Sequence, residues 1–254
     1  MKLLKKCSLI ILVMLIISSL YVSAYAATPT AICIGEDNSP AYNSKVTYTG
    51  NWTVTQGTQA SYPTAVTVSS ELNTIGYSSS PIQNCDASYL CNALGNNAIF
   101  YSYTHSSAGE ITHSWKDSSN NWQVGLIGAT NGDISLSSVY STSTSKLKSL
   151  RLAYFQGCDT ANTSDTFGNL LTQSVSLGAD AAIGFSTETL QGIADYYDSR
   201  FFSYANDAST PLYSACQSAL IDTYNAYGND GGTESYIIEG NESETLKPAA
   251  NGIN

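Results

Sequence analysis

The stretch Leu150-Arg151-Leu152-Ala153-Tyr154-Phe155-Gln156-Gly157-Cys158-Asp159-Thr160 decides how this chain is read. Its short apolar run, closed by a glycine, has the length of a strand buried on both faces, and a cysteine stands where that strand ends. Upstream, Ala98-Ile99-Phe100-Tyr101-Ser102-Tyr103-Thr104 is a similar run, and it ends in His105, 53 positions before Cys158. A thiol becomes a useful nucleophile when a neighbouring base raises its thiolate fraction. Two strands that each deliver one member of a Cys/His pair at the carboxyl end therefore point to nucleophilic catalysis. His113 is the chain's other histidine. It falls inside an alternating run and is the weaker candidate for the base.

Outward from these runs, short apolar segments alternate with helical spacing. Residues 31–35 predict a first strand and residues 46–54 a hairpin insertion. Val66, Leu72 and Ile75 lie on a helix stopped by Gly76, and residues 87–94 predict a second helix ended by Gly95-Asn96-Asn97. Residues 110–115 and 122–126 alternate across a polar turn and predict a β-hairpin. A short helix is expected over residues 134–140, and a longer one carries Phe167 to Leu177. Residues 181–185 form another buried strand, followed by helices over 191–204 and 212–227 and a last short strand at 236–240. This order predicts an α/β fold, a mostly parallel sheet flanked by helices on both faces. Ligands of such sheets bind beyond the carboxyl ends of the strands, which is where His105 and Cys158 fall.

The first 26 residues have the pattern of a secretory signal. Lys2, Lys5 and Lys6 precede an apolar core, and Ala24-Tyr25-Ala26 is a small-x-small cleavage site, so cleavage is expected after Ala26. The mature chain, residues 27–254, is then expected to be one domain, secreted and without stable membrane insertion. Removing the signal takes away three of ten basic residues and none of the 20 acidic ones, so the formal charge moves from −10 to −13. So acidic a protein offers neither phosphate neutralisation nor a polybasic anchor, which excludes nucleic acid and anionic membrane as partners. A peptide or protein substrate and a monomer are expected.

The mature cysteines are Cys33, Cys85, Cys91, Cys158 and Cys216. Thiols outside the cell tend to pair, and an odd number leaves one over. Disulfides are therefore expected, with Cys85 and Cys91 close enough to pair locally and Cys33 and Cys216 left for each other, although spacing alone leaves the pairing open. Acyl transfer also needs hydrogen-bond donors for the developing oxyanion. The N–H of Cys158 and one from the small-residue loop Ser106-Ser107-Ala108-Gly109 are the candidates.

The segments ending in His105 and Cys158 resemble the catalytic pair of the caspase-like cysteine peptidases, the clan of caspases, legumains, gingipains, clostripains and separases. The separation of 53 residues agrees with the roughly 50 typical of caspases. Leu72-Asn73-Thr74-Ile75-Gly76-Tyr77 and Gly178-Ala179-Asp180-Ala181-Ala182-Ile183-Gly184-Phe185 are similar to segments found in that order in these folds. The resemblance covers roughly residues 64–227. It implies a caspase-hemoglobinase-like fold and a cysteine endopeptidase acting through a thioester, with Cys158 as nucleophile and His105 as general base, and with no cofactor. It also implies an oxyanion N–H at position 106, where the family has glycine and this chain has Ser106. If that position demands a left-handed backbone, Ser106 is strained and the chain is a catalytically inactive relative that binds peptides or surface components.

In this clan the side chain preceding the cut bond sets specificity. Glu188, on the loop after residues 181–185, is the candidate for that pocket, with Asp159 second, and either carboxylate would favour a basic side chain. The competing expectation puts Glu188 in the first turn of the following helix, where the dipole favours a carboxylate. The acidic segments 36–38 and 228–234 lack the spacing of an EF-hand loop and predict ordinary turns, and no Cys/His cluster has zinc spacing, so no metal is expected.

Overall fold

A computed structural model describes residues 27–36, 46–47, 53–54, 60–140 and 147–248, and in it the two decisive runs are neighbouring strands. The elements in chain order are β1 (Thr30–Gly35), β2 (Val46–Thr47), β3 (Thr53–Val54), α1 (Tyr62–Ile75), β4 (Ser78–Gln83), α2 (Ala87–Asn96), β5 (Ile99–Tyr103) and β6 (Ser106–Ser107). They continue with β7 (Glu110–Lys116), β8 (Trp122–Gly128), β9 (Ile134–Ser135), α3 (Leu136–Tyr140), β10 (Leu152–Gln156), α4 (Leu170–Ser176), β11 (Ala181–Phe185), α5 (Gln191–Tyr204), α6 (Leu212–Tyr227) and β12 (Tyr236–Gly240).

The main sheet has six strands in the order β12-β11-β10-β5-β1-β4. All neighbouring pairs are parallel except β11 with β12. β5, β10 and β11 are buried along their whole length, which is why they read as continuous apolar runs. Their side chains alternate between two cores. Tyr101, Tyr154 and Ile183 pack with Val68 of α1, Phe201 of α5 and Cys216 of α6 on one face. Phe100, Phe155 and Ala182 pack with Leu90 of α2, Tyr140 of α3 and Leu171 of α4 on the other. Helices thus cover both faces. A second sheet, β6-β7-β8-β9, includes the expected hairpin, and β2 pairs with β3 at the insertion expected over residues 46–54.

One strand of the main sheet was not foreseen, and one helix ends within the stop expected for it. β4, Ser78-Ser79-Ser80-Pro81-Ile82-Gln83, has no apolar pattern because it is an edge strand half open to solvent, and edges tolerate proline. α2 runs through Gly95 and ends at Asn97, whose backbone is extended and whose Nδ2 donates to the Ala93 carbonyl at 2.8 Å. The signal sequence expected over residues 1–26 lies outside the described residues, as do Asp37 and Asn38. Among the described residues no helix is long and apolar enough to cross a membrane.

Candidate active site

β5 and β10 pair in the register Tyr103↔Gln156, so His105 and Cys158 each lie two residues beyond matched positions on adjacent strands. Two hydrogen bonds lace the strand ends together. The Thr104 N–H donates to the Gln156 carbonyl at 3.2 Å, and Ser106 Oγ donates to the Cys158 carbonyl at 2.7 Å. His105 sits between these links. Its carbonyl accepts from both the N–H and Oγ1 of Thr112, each at 2.8 Å, so its backbone is held against β7. Gly157 makes this closeness possible. A Cβ there would lie 2.2 Å from Ser106 Oγ and 2.7 Å from the Thr104 carbonyl, so any side chain would force the loops apart.

Cys158 is half-buried at the crest of a pinned turn. Asp159 has φ of 58°, a left-handed conformation that Asp tolerates better than most residues. Its N–H donates to the Thr187 carbonyl at 3.1 Å, and its carboxylate accepts from Asn162 Nδ2 at 2.8 Å. Buried Thr160 donates to the Phe155 carbonyl and accepts from the Phe185 N–H, both at 2.9 Å, which ties the turn to β10 and β11. Asp159 thus helps to hold the turn in place.

Ser106 does not have a positive φ, so the strain foreseen for serine in place of glycine does not arise. Its hairpin register bears on where its N–H points. The Thr112 N–H bonds the His105 carbonyl, so His105 and Thr112 form a hydrogen-bonded pair of the antiparallel ladder. Ser106 pairs with Ile111, the next pair along, which by alternation is non-hydrogen-bonded. Its N–H is therefore directed away from β7.

Two residues before each candidate, on the face packed by α5, stand Tyr103 and Gln156. Gln156 is fully buried. Its Nε2 donates to Thr189 Oγ1 at 3.2 Å, while Oε1 has no hydrogen-bond partner. The Tyr103 hydroxyl donates to the Gln191 carbonyl at 3.3 Å and is also bonded to the Asp195 carboxylate. Burial, then the charges of Asp195, Asp198 and Cys158, push its phenol far above the usual range. Asp195 is half-buried and accepts from Thr64 Oγ1 at 2.7 Å. Burial raises its carboxyl pKa, opposed by the bonds from Thr64 and Tyr103. Deeper in the same core, Asp198 accepts from the hydroxyls of Tyr101 and Tyr154 at 2.6 Å each, and burial pushes its pKa up to about 8. Sequence reasoning passed over Gln156, Tyr103 and Asp195. The one visible signal was Gln156, an amide inside an apolar strand.

Glu188 is exposed, in the loop between β11 and α5, and two residues before the helix N-cap Leu190. The expectation that it occupies the first helical turn is corrected. No group of metal-ligating residues occurs among the described residues. In the turn after α6, Asp230 Oδ1 instead accepts from the Gly232 N–H at 2.7 Å.

The disulfide expectation is also corrected: all five described cysteines are free thiols. Cys33 lies on β1, 3.8 Å from Ser79 Oγ, while Cys216 lies on α6 beside Tyr197. Cys85 precedes the α2 N-cap and Cys91 sits within that helix. Burial pushes Cys33, Cys91 and Cys216 up to about 12, and Cys85 higher still. His113 is buried against the Cys85 carbonyl, with Nδ1 at 3.2 Å, and burial holds its pKa down at about 4.

Neither a protein-family model nor a curated protein matches the sequence. Solved structures match in fold. Gingipain R, described as an Arg-specific cysteine proteinase, matches at a TM-score of 0.55 and 11% identity, over 89% of this chain and 50% of its own. The complex of the RgpB pro- and mature domains of Porphyromonas gingivalis matches at 0.53 and 11% identity, over 89% and 51%. Caspase-1 from Spodoptera frugiperda follows at 0.48 and 12% identity, over 87% and 89%. The chain spans about half the length of the gingipain chains it matches. It has the caspase-like fold, with a mostly parallel six-stranded sheet between two layers of helices.

Proposed function

We propose that this chain is an exported cysteine endopeptidase, released after cleavage of residues 1–26, with the remainder acting as one catalytic domain. Cys158 attacks the carbonyl of the peptide bond and His105 takes the thiol proton. The thioester then forms as the leaving amine recovers that proton, and water, deprotonated by His105, hydrolyses the thioester. The N–H groups of Ser106 and Cys158 hold the oxyanion in both steps. The observation that carries this reading is the 2.7 Å bond from Ser106 Oγ to the Cys158 carbonyl, which locks the loop after the histidine to the turn bearing the thiol. A partly exposed thiol at the carboxyl edge of a caspase-like sheet supports it, as does a Ser106 backbone free of left-handed strain. That same freedom removes the reason for preferring an inactive binding module.

The side chain preceding the cut bond enters beside Tyr103, Gln156 and Asp195. Gln156 Oε1 is a buried acceptor without a donor, and Asp195, bonded to Tyr103, is a half-buried carboxylate, so the pocket takes a donor-bearing, basic side chain. The likeness to an Arg-specific proteinase agrees with that choice. Glu188, exposed at the rim, adds a longer-range attraction at most.

Labelling with a peptidyl electrophilic ketone that carries arginine tests the reading. Stoichiometric labelling should be lost in Cys158→Ala and in His105→Ala. Labelling at another cysteine, or none at all alongside no peptide hydrolysis, overturns it.

A further inference from the structure

A second cleft opens on the same edge of the sheet, away from the Cys158 turn. It has a volume of about 620 Å3 and is walled by Tyr89 of α2, Trp115 of β7 and Trp122 of β8, with Gln83, Asp86 and Lys116 at its rim. That volume falls within the roughly 300–1,000 Å3 typical of ligand sites, and aromatic walls with a few polar groups are their usual composition. The aromatic walls are braced before anything binds. His113 stacks on Trp115 with ring centroids 4.9 Å apart and planes at 11°, and Lys116 Nζ stands 5.2 Å from the Trp122 ring. Asp86 accepts from the Tyr89 N–H at 2.8 Å and so fixes the start of α2. Side chains held in this way lose little freedom when a ligand arrives.

The strand order decides what can reach the cleft. β10, β5, β1 and β4 are consecutive and parallel, so Cys158 and His105, which follow β10 and β5, and Gln83, which closes β4, all lie at carboxyl ends of strands on one edge. Three strand spacings separate β10 from β4, roughly 15 Å at ~4.8 Å each. An extended peptide covers that distance in about five residues at ~3.3 Å per residue. Cys158 on β10 takes the carbonyl carbon and His105 on β5 returns the proton to the leaving amine, so the amine lies on the β5 side, and beyond it β1, β4 and the cleft follow in the same direction. It is therefore the leaving segment, past the cut bond, that travels toward it.

The geometry points to a second subsite for the peptide substrate: the cleft walled by Tyr89, Trp115 and Trp122 takes a bulky aromatic side chain about five residues beyond the cut bond. This inference rests on the peptidase reading and adds a selectivity which that reading does not need. The flat walls suit an aromatic ring, and the Lys116 ammonium suits a peptide carboxylate nearby.

The test uses the full chain carrying Cys158→Ala, so that bound peptide stays intact. Two peptides share one arginine-containing segment; the first ends two residues past the cut position, and the second continues to a phenylalanine five residues past it. Titration calorimetry should show the longer peptide binding about tenfold more tightly. Adding Trp122→Ala should erase that gain and leave the short peptide's affinity unchanged. Tyr89→Ala, on an exposed helix position, should reduce the gain without touching the fold. Equal affinities for the two peptides overturn the subsite while leaving the peptidase reading intact. If neither peptide binds and the unmodified protein cleaves none, both readings fall. If a neutral oligosaccharide such as chitotetraose binds in a Trp122-dependent way and the phenylalanine brings no gain, the cleft is a sugar site and the proposal is wrong.

Discussion

The chain contains two Cys/His neighbourhoods, and they differ in how far each is removed from solvent. At one, His113 Nδ1 lies 3.2 Å from the Cys85 carbonyl, under the start of α2. At the other, His105 and Cys158 follow the adjacent ends of β5 and β10. In the first, burial raises the thiol pKa, helped by the charges of Glu36 and Asp86, and burial also strips His113 of its basicity down to about 4. Neither group can carry charge there, so neither can do proton-transfer chemistry near neutral pH. In the second, both residues are half-buried on loops pinned by hydrogen bonds. Burial separates the two sites: Cys85 and His113 are buried, while Cys158 and His105 are half-exposed.

The sharpest way to break this contrast is to remove each thiol. Cys158→Ala should abolish peptide hydrolysis, at least about a thousandfold in kcat/KM. Cys85→Ala should leave kcat/KM within about twofold and lower Tm by several degrees, through the loss of a buried side chain. Parallel kinetics and thermal melts decide the matter, and loss of activity in Cys85→Ala at an unchanged Tm would reverse the assignment. Next in size is Gly157→Ala. Its Cβ would collide with Ser106 Oγ and the Thr104 carbonyl, so kcat should fall about a hundredfold while far-UV circular dichroism stays unchanged. Retained kcat would mean that the lacing between the two strand ends is not needed.

The smallest effect concerns stability against pH. Burial holds Glu36 and Asp198 up at about 8 and Glu110 at about 7. Carboxyls raised in this way favour the folded state at low pH, and that stability is lost as pH rises from the ordinary carboxylate range toward 7–8. His113, held at about 4, works in the opposite direction: the unfolded chain takes up a proton first as pH falls below ~6.5, so stability is lost toward pH 4. Three carboxyls outweigh one imidazole between these limits. Thermal melts should therefore give a Tm several degrees higher at pH 5.5 than at pH 8.5, and Glu36→Gln should reduce that difference. A Tm that rises steadily toward pH 8.5 would contradict the burial of these groups.

Much of the architecture was legible because parallel central strands must be apolar on both faces. Residues 98–104 and 150–155 announce themselves for that reason, and their ends named His105 and Cys158. β4 stayed hidden, since an edge strand of serines and a proline carries no such pattern. Gln156 and Asp195 stayed hidden for another reason. One is 39 residues from the other, and only the packing of α5 across the ends of β5 and β10 places both on one face. The cysteine count suggested disulfides, yet a count carries no information on direction. Cys33 and Cys216 occupy different elements with their own partners, Ser79 and Tyr197.

The primary structure alone dictated the buried central strands, the helices between them and the pair that follows two of those strands, because buried strands and helix stops are local patterns that survive without knowledge of the fold. It also supplied the odd cysteine. Whether that cysteine can react depends on solvent, neighbouring charge and the direction of backbone N–H groups, and these exist only once distant segments meet. Ser106 shows the boundary most plainly. As a letter it was a departure from glycine that threatened the oxyanion donor. In the fold, pairing with Ile111 sets its N–H away from β7, and its hydroxyl becomes the tie to Cys158.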